Sequence, residues 1–240
     1  MATNHHALQF TGGVPNEQPG IKFQSATRVQ QALTAGAEKR ALIWMAERTP
    51  RWINSDHLTL LGLVAQLLTG VSYALARQNP WMLLAATAFI ALNWLGDSLD
   101  GTLARVRNRQ RPRYGFYVDH VIDTFGAFFL MGGLALSGYV HPGIAVGMLV
   151  AFLMLAIEVY LATYAIGAFH LSFWKFGPTE IRILLAVGNL ALLFRPVIHL
   201  AGREFLLFDV GGAIAIAGMA GMLVVSSVRH TARLYKEEKL

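Results

Sequence analysis

The sequence predicts an all-α polytopic membrane protein: six transmembrane helices within 56–240, preceded by an amphipathic helix in the membrane interface. Three observations lead there. Hydrophobic residues make up 55% of the 240 positions and charged residues 14%, against about 25% charged in a soluble domain. Apolar stretches of roughly twenty residues, the length that crosses a bilayer, recur along the chain. The Lys and Arg residues gather between and beyond those stretches, mostly on one side of them.

Taken in order, residues 1–25 are rich in Gly, Pro, Asn and Gln and are expected to form a disordered tail. Its His5-His6 pair is too short a tract to argue a metal site. No basic stretch leads into an apolar run there, so the tail does not have the form of a signal peptide. Residues 26–55 are expected to hold an interfacial helix and a linker. Over 27–48, Leu33, Ala37, Ala41, Trp44 and Met45 form an apolar face against Arg28, Lys39, Arg40 and Arg48. That pattern suits a helix lying on the bilayer with Trp44 at headgroup depth.

The spans are expected at 57–77, 81–104, 116–139, 143–169, 180–199 and 209–228. Asp56 is expected to cap the first, and Pro178-Thr179 to open the fifth. An even number of spans puts both termini on one side. That side carries 17 of the 20 basic residues, and only Arg77, Arg195 and Arg203 lie opposite. The positive-inside rule makes the basic side cytoplasmic. The net charge of +6 then reflects loops facing anionic headgroups rather than a nucleic-acid partner. With no cysteine, disulfide and thiolate chemistry are excluded.

Four aspartates stand out. Asp97 and Asp100 fall in the last turns of the second span, and Asp119 and Asp123 in the first turns of the third. Spacings of i,i+3 and i,i+4 put each pair on one helix face, about 5–6 Å apart at Cβ. Ionisable residues within spans are costly and mark function. Four converging carboxylates repel one another unless a cation holds them, and hard divalent cations take oxygen ligands while leaving positions for phosphate. With no cysteine and only scattered histidines, Mg²⁺ or Mn²⁺ suits the donors better than zinc.

The full pattern is D-x2-D-G-x2-A-R-x9-G-x3-D-x3-D, through Asp97, Asp100, Gly101, Ala104, Arg105, Gly115, Asp119 and Asp123. It resembles the signature of the CDP-alcohol phosphotransferase family, whose six-span layout is also similar. The resemblance implies an enzyme of phospholipid synthesis in which an acceptor hydroxyl displaces CMP from a CDP-linked alcohol. It implies Mg²⁺ or Mn²⁺, two ions, held by Asp97, Asp100, Asp119 and Asp123, with Asp123 also the general base. It implies a CDP site at Asp97, Gly101, Ala104, Arg105 and Gly115, with Thr59 added because Thr59 and Gly62 match a further family segment. A homodimer in a bacterial or archaeal cytoplasmic membrane, with the site on the cytoplasmic side, is expected. Arg107, Arg109, Arg111 and Arg113 are expected to set topology and meet headgroups.

Asp119-His120, Glu158-x-Tyr160 and Gly177–Glu180 are similar to segments of the choline and ethanolamine phosphotransferases. This tilts the substrate toward CDP-ethanolamine or CDP-choline donating to a diacylglycerol-like lipid. The alternative is CDP-diacylglycerol donating to a small alcohol such as glycerol phosphate, serine, inositol or inositol phosphate. Acceptor or headgroup contacts are expected among His120, Glu158, Tyr160, Lys175, Glu180 and Arg182. Glu158 and Tyr160 suit a substrate ammonium, yet residues two apart do not share a helix face. A structural hydrogen bond from Glu158 to Asn93 or Asn189 is the plainer expectation. Lys175 and Arg182 flank the cytoplasmic entrance, where they bind a phosphorylated acceptor or mark topology. A membrane prenyltransferase is disfavoured because six spans are too few for it. A cation transporter is disfavoured because its site belongs near the midplane between repeats.

Overall fold

The computed structural model describes residues 27–29, 35–166, 168–170, 177–200 and 202–239. The expected tail, His5-His6, Leu33 and Lys175 lie outside these residues. In order come β1 (Thr27–Val29), α1 (Ala35–Arg48), α2 (Ser55–Ala76), α3 (Met82–Val106), α4 (Pro112–Leu136) and α5 (Pro142–Ile166). They are followed by β2 (Ala168–His170), α6 (Pro178–Phe194), β3 (Val197–Leu200), β4 (Arg203–Leu206) and α7 (Leu207–Glu237). β1 pairs in parallel with β2, and β3–β4 is an antiparallel hairpin whose turn holds Gly202 at φ +77°, where glycine is free of strain.

The all-α membrane architecture is as expected. Among the described residues, α2, α3, α4, α5 and α7 are long and apolar enough to cross a membrane. The fifth expected span, 180–199, corresponds to α6, which stops at Phe194. At 17 residues it is about 25 Å long, the shortest of the six. Pro196 disfavours helical backbone at Arg195, and the chain turns into β3. Among the described residues, the helix expected over 27–48 is α1, Ala35–Arg48, while Thr27–Val29 is the strand β1.

The cap of α2 also differs from expectation. Asn54, not Asp56, is the cap: its Oδ1 accepts from the His57 backbone N–H at 3.0 Å. The His57 Nδ1 accepts from the Asn54 N–H at 3.3 Å. A cap must precede the helix so that its oxygen reaches the third N–H. Asp56 is already inside the first turn, and it pairs instead with Arg111.

Helix α2 lies between α3 and α4, and glycines set both crossings. A Cβ on Gly96 of α3 would stand 2.7 Å from the Gly62 nitrogen and the Leu58 oxygen. A Cβ on Gly133 of α4 would run into the Gly70 carbonyl, and one on Gly70 into the Phe129 carbonyl. Small residues let membrane helices meet backbone to backbone. Below the crossings Tyr73, Leu83, Leu130, Leu134 and Leu192 form the larger apolar core. There the buried Tyr73 hydroxyl donates to Asn189 Oδ1 at 2.8 Å. At the other end Leu42 and Ala46 of α1 pack on Leu58, Leu99 and Leu103. Arg107 secures the end of α1 by donating to the carbonyls of Ile53 at 2.5 Å and Thr49 at 2.7 Å. That is a structural task beyond the topology role expected of this arginine. The net effect is to set the last turns of α3 beside the first turns of α4.

Candidate active site

Those two ends carry the aspartates. Asp97 of α3 and Asp119 and Asp123 of α4 each offer a carboxylate oxygen, all within 4.8 Å of one another. Asp97 and Asp119 are half-buried, and Asp123 is exposed. Helical spacing accounts for the convergence: Asp119 and Asp123 share one face of α4, which the Gly70–Gly133 crossing holds toward α3. The donor set is all oxygen and spans two helices, so it fits a hard divalent cation.

Asp100 stands outside this trio. Its Oδ2 accepts from the Thr59 hydroxyl at 2.6 Å, and its Oδ1 from the Gly101 N–H. Ser55 Oγ donates to the Asp100 carbonyl at 2.9 Å. Thr59 and Ser55, one turn apart on α2, thus fix the end of α3 to α2. Sequence spacing puts Asp97 and Asp100 on one face of α3; Asp97 brings an oxygen to those of Asp119 and Asp123 on α4, while Asp100 also engages Thr59 of α2.

Among the described residues, Asp97 has one ion-pair partner within reach, Arg182 of α6, whose Nη2 donates to Oδ2 at 2.7 Å. The same guanidinium donates from Nε to Asn93 Oδ1 at 3.0 Å, and Asn93 Nδ2 donates to the Gly62 carbonyl at 3.0 Å. Arg182, expected at an acceptor entrance, therefore lies at the carboxylates themselves. Glu180, grouped with it, accepts from the Gly177 N–H at 2.9 Å and caps α6.

The remaining expected residues divide. His120 packs edge-on against Tyr160 of α5, ring centroids 4.8 Å apart. Its Nδ1 lies 2.6 Å from the Phe116 carbonyl, and His120 neighbours Asp119 in sequence. Glu158 faces the other way. Its two oxygens meet Ser226 Oγ at 2.9 Å and His230 Nδ1 at 2.6 Å, both on α7. The structural hydrogen bond expected at Asn93 or Asn189 is thus made to α7, because Asn93 is engaged by Arg182 and Gly62 and Asn189 by Tyr73 and Thr87. Tyr160, not Glu158, is the α5 residue beside the aspartates.

Arg105 donates to Thr102 Oγ1 at 3.0 Å. Gly101 faces that arginine, while a Cβ on Gly115 would have no heavy atom within 4 Å. Ala104 lines a cavity of about 360 Å³ together with Asn54, Ser55, Asp56, Arg107 and Arg111. Small-molecule sites begin at about this volume.

Sequence reasoning missed Glu38 of α1. Its Oε1 accepts from Trp94 Nε1 at 2.8 Å and from Thr179 Oγ1 at 2.9 Å. The signal available was a lone acid in the first turn of a helix otherwise read as apolar and basic.

Residues 52–225 match the CDP-alcohol phosphatidyltransferase family. Cholinephosphotransferase 1 of Gallus gallus is 26% identical over 185 residues, covering 71% of this chain. The chain spans 54% of the length of that relative.

Proposed function

The chain belongs to the CDP-alcohol phosphatidyltransferase family, and from that membership we propose that it is a metal-dependent transferase of phospholipid synthesis. The carrying observation is the trio Asp97, Asp119 and Asp123, with ligand oxygens within 4.8 Å of one another on two adjoining spans. These residues would hold Mg²⁺ or Mn²⁺, with Asp100 completing the acidic set. Such an ion supplies neutralisation of a CDP diphosphate and orientation of the attacked phosphorus.

The chain's own groups divide the remaining work. Asp123 lies one turn deeper in α4 than Asp119 and is the exposed member of the trio. An acceptor hydroxyl arriving from the bilayer meets it first, and Asp123 takes the hydroxyl proton as general base. The acceptor oxygen bonds to phosphorus, the bond from phosphorus to the CMP oxygen breaks, and CMP leaves. Gly101 and Ala104 present a small-residue surface for the nucleotide, beside the cavity that Arg107 and Arg111 line. Arg105 is placed to meet a phosphate, and Thr59 acts through Asp100. Gly115, with open space before it, lets a ligand approach the start of α4. His120 and Tyr160 lie where a headgroup would sit.

The likeness to a cholinephosphotransferase favours CDP-choline or CDP-ethanolamine as donor and a diacylglycerol-type lipid as acceptor. The basic bias favours a site open to the cytoplasm, and family membership favours a homodimer. CMP release by the purified chain in lipid nanodiscs tests the reading, with CDP-choline, CDP-ethanolamine and CDP-diacylglycerol offered in turn. Release from the first two with diacylglycerol is expected. Release only from CDP-diacylglycerol with a small alcohol selects the alternative substrate order. Release from none overturns the assignment.

A further inference from the structure

Glu38 is the one described residue with a buried side-chain polar atom, Oε2, that has no hydrogen-bond partner. Its other oxygen is crowded. Oε1 accepts from Trp94 Nε1 at 2.8 Å, Thr179 Oγ1 at 2.9 Å and Ser98 Oγ at 3.5 Å. A buried acceptor without a donor is costly, so a neutral or apolar residue would sit here more cheaply if the position served α1 alone. The three donors come from two other helices, and their places in sequence are specific. Trp94 and Ser98 of α3 bracket Asp97, and Thr179 of α6 lies one turn before Arg182.

Helices α3 and α6 are therefore tied twice at one level. One tie is direct, Arg182 to Asp97 and Asn93. The other runs through Glu38, from Trp94 and Ser98 to Thr179. We propose that Glu38 is a positioning residue for the metal site: it clips α1 across α3 and α6 and so sets the reach of Arg182 to Asp97. Partners that orient a ligating group are typically worth about 10–100-fold in metal affinity, and Arg182 is such a partner of Asp97. Glu38 lies one step further out and acts through it. The inference rests on the metal reading given above.

The test is Mn²⁺ affinity, read from the electron paramagnetic resonance signal of free Mn²⁺, for the full chain in nanodiscs. Glu38→Ala and Thr179→Ala should each weaken binding by roughly three- to tenfold, below the range for a direct partner. Glu38→Gln, which keeps an Oε1 acceptor, should stay close to wild type. Added to Arg182→Gln, Glu38→Ala should cost nothing further, because its route to Asp97 is already cut. Should Glu38→Ala not survive purification, Thr179→Ala, which severs only the α6 strap, carries the same comparison. Wild-type affinity in Glu38→Ala or Thr179→Ala overturns the inference, as does a loss that multiplies with that of Arg182→Gln. A wild-type chain that binds no Mn²⁺ overturns the metal site itself, and this role for Glu38 with it.

Discussion

The α2–α3–α4 group and the α5–α7 pair solve the problem of packing in a membrane differently. In the first, 39% of the most apolar window of α2 is buried within the chain, and in the second only 6% of that of α7. The first relies on glycine: Gly62 against Gly96, and Gly70 against Gly133, with backbones in contact. The second relies on side chains: Gly147 faces Ile216, Gly212 faces Ile144 and Met148, and Glu158 bonds to Ser226 and His230. Backbone contact fixes helix positions more tightly than side chains that can change rotamer. The carboxylate trio needs oxygens from two helices held within ångströms of one another, and it sits on the glycine-packed group.

The comparison can be broken at its strongest point. Gly133→Val should drive a methyl-bearing carbon into the Gly70 carbonyl, which backbone cannot avoid, at a cost of at least about 3 kcal/mol. Size-exclusion chromatography in detergent should show the folded peak lost. Gly218→Val, on a stretch of α7 where a Cβ meets no heavy atom within 4 Å, should keep that peak and change stability by no more than about 0.5 kcal/mol. Equal tolerance at both positions would erase the distinction.

A smaller effect is expected from the polar tie. Glu158→Ala removes the carboxylate that Ser226 and His230 share, leaving them only their 3.4 Å contact with each other, and should destabilise by about 2 kcal/mol, seen as a lower melting temperature. Mn²⁺ affinity should hold, since Glu158 faces α7 and not the aspartates. A matching loss of affinity would tie the α5–α7 pair to the site. The smallest effect belongs to Arg111→Gln. It pairs with Asp56, the two side chains being 52% and 44% exposed, and lies 4.1 Å from the Tyr114 ring centroid. Exposed ion pairs contribute about 0–1 kcal/mol, so melting should shift within error.

Much of this architecture is legible in the amino-acid sequence. Span positions follow from apolar length, and the two aspartate pairs from helical spacing, because both are local properties. The grouping of Asp97 with Asp119 and Asp123, leaving Asp100 to Thr59, is not legible there, because it depends on how α2 and α4 flank α3. Arg182 lies 85 positions from Asp97 and Glu38 lies 141 from Thr179, and no periodicity connects residues so far apart. Glu158 shows a partial success: its separation from Tyr160 onto another face follows from i,i+2 geometry, while its partners on α7 do not. Nor does the sequence distinguish Gly70 and Gly133, which meet across a crossing, from Gly218, which faces open space.

In the function proposed above, Asp97, Asp119 and Asp123 form one cation site, and Asp100 of α3, held by Thr59 of α2, supports it from outside the trio. Mn²⁺ titration of the four single Asp→Asn variants, followed by electron paramagnetic resonance, tests this most directly. Asp97→Asn, Asp119→Asn and Asp123→Asn should each weaken binding by well over about tenfold, more than loss of an outer partner, and Asp100→Asn should weaken it less than any of them. If Asp100→Asn abolished binding while one of the trio left it at wild-type strength, the site would be built from a different set of carboxylates.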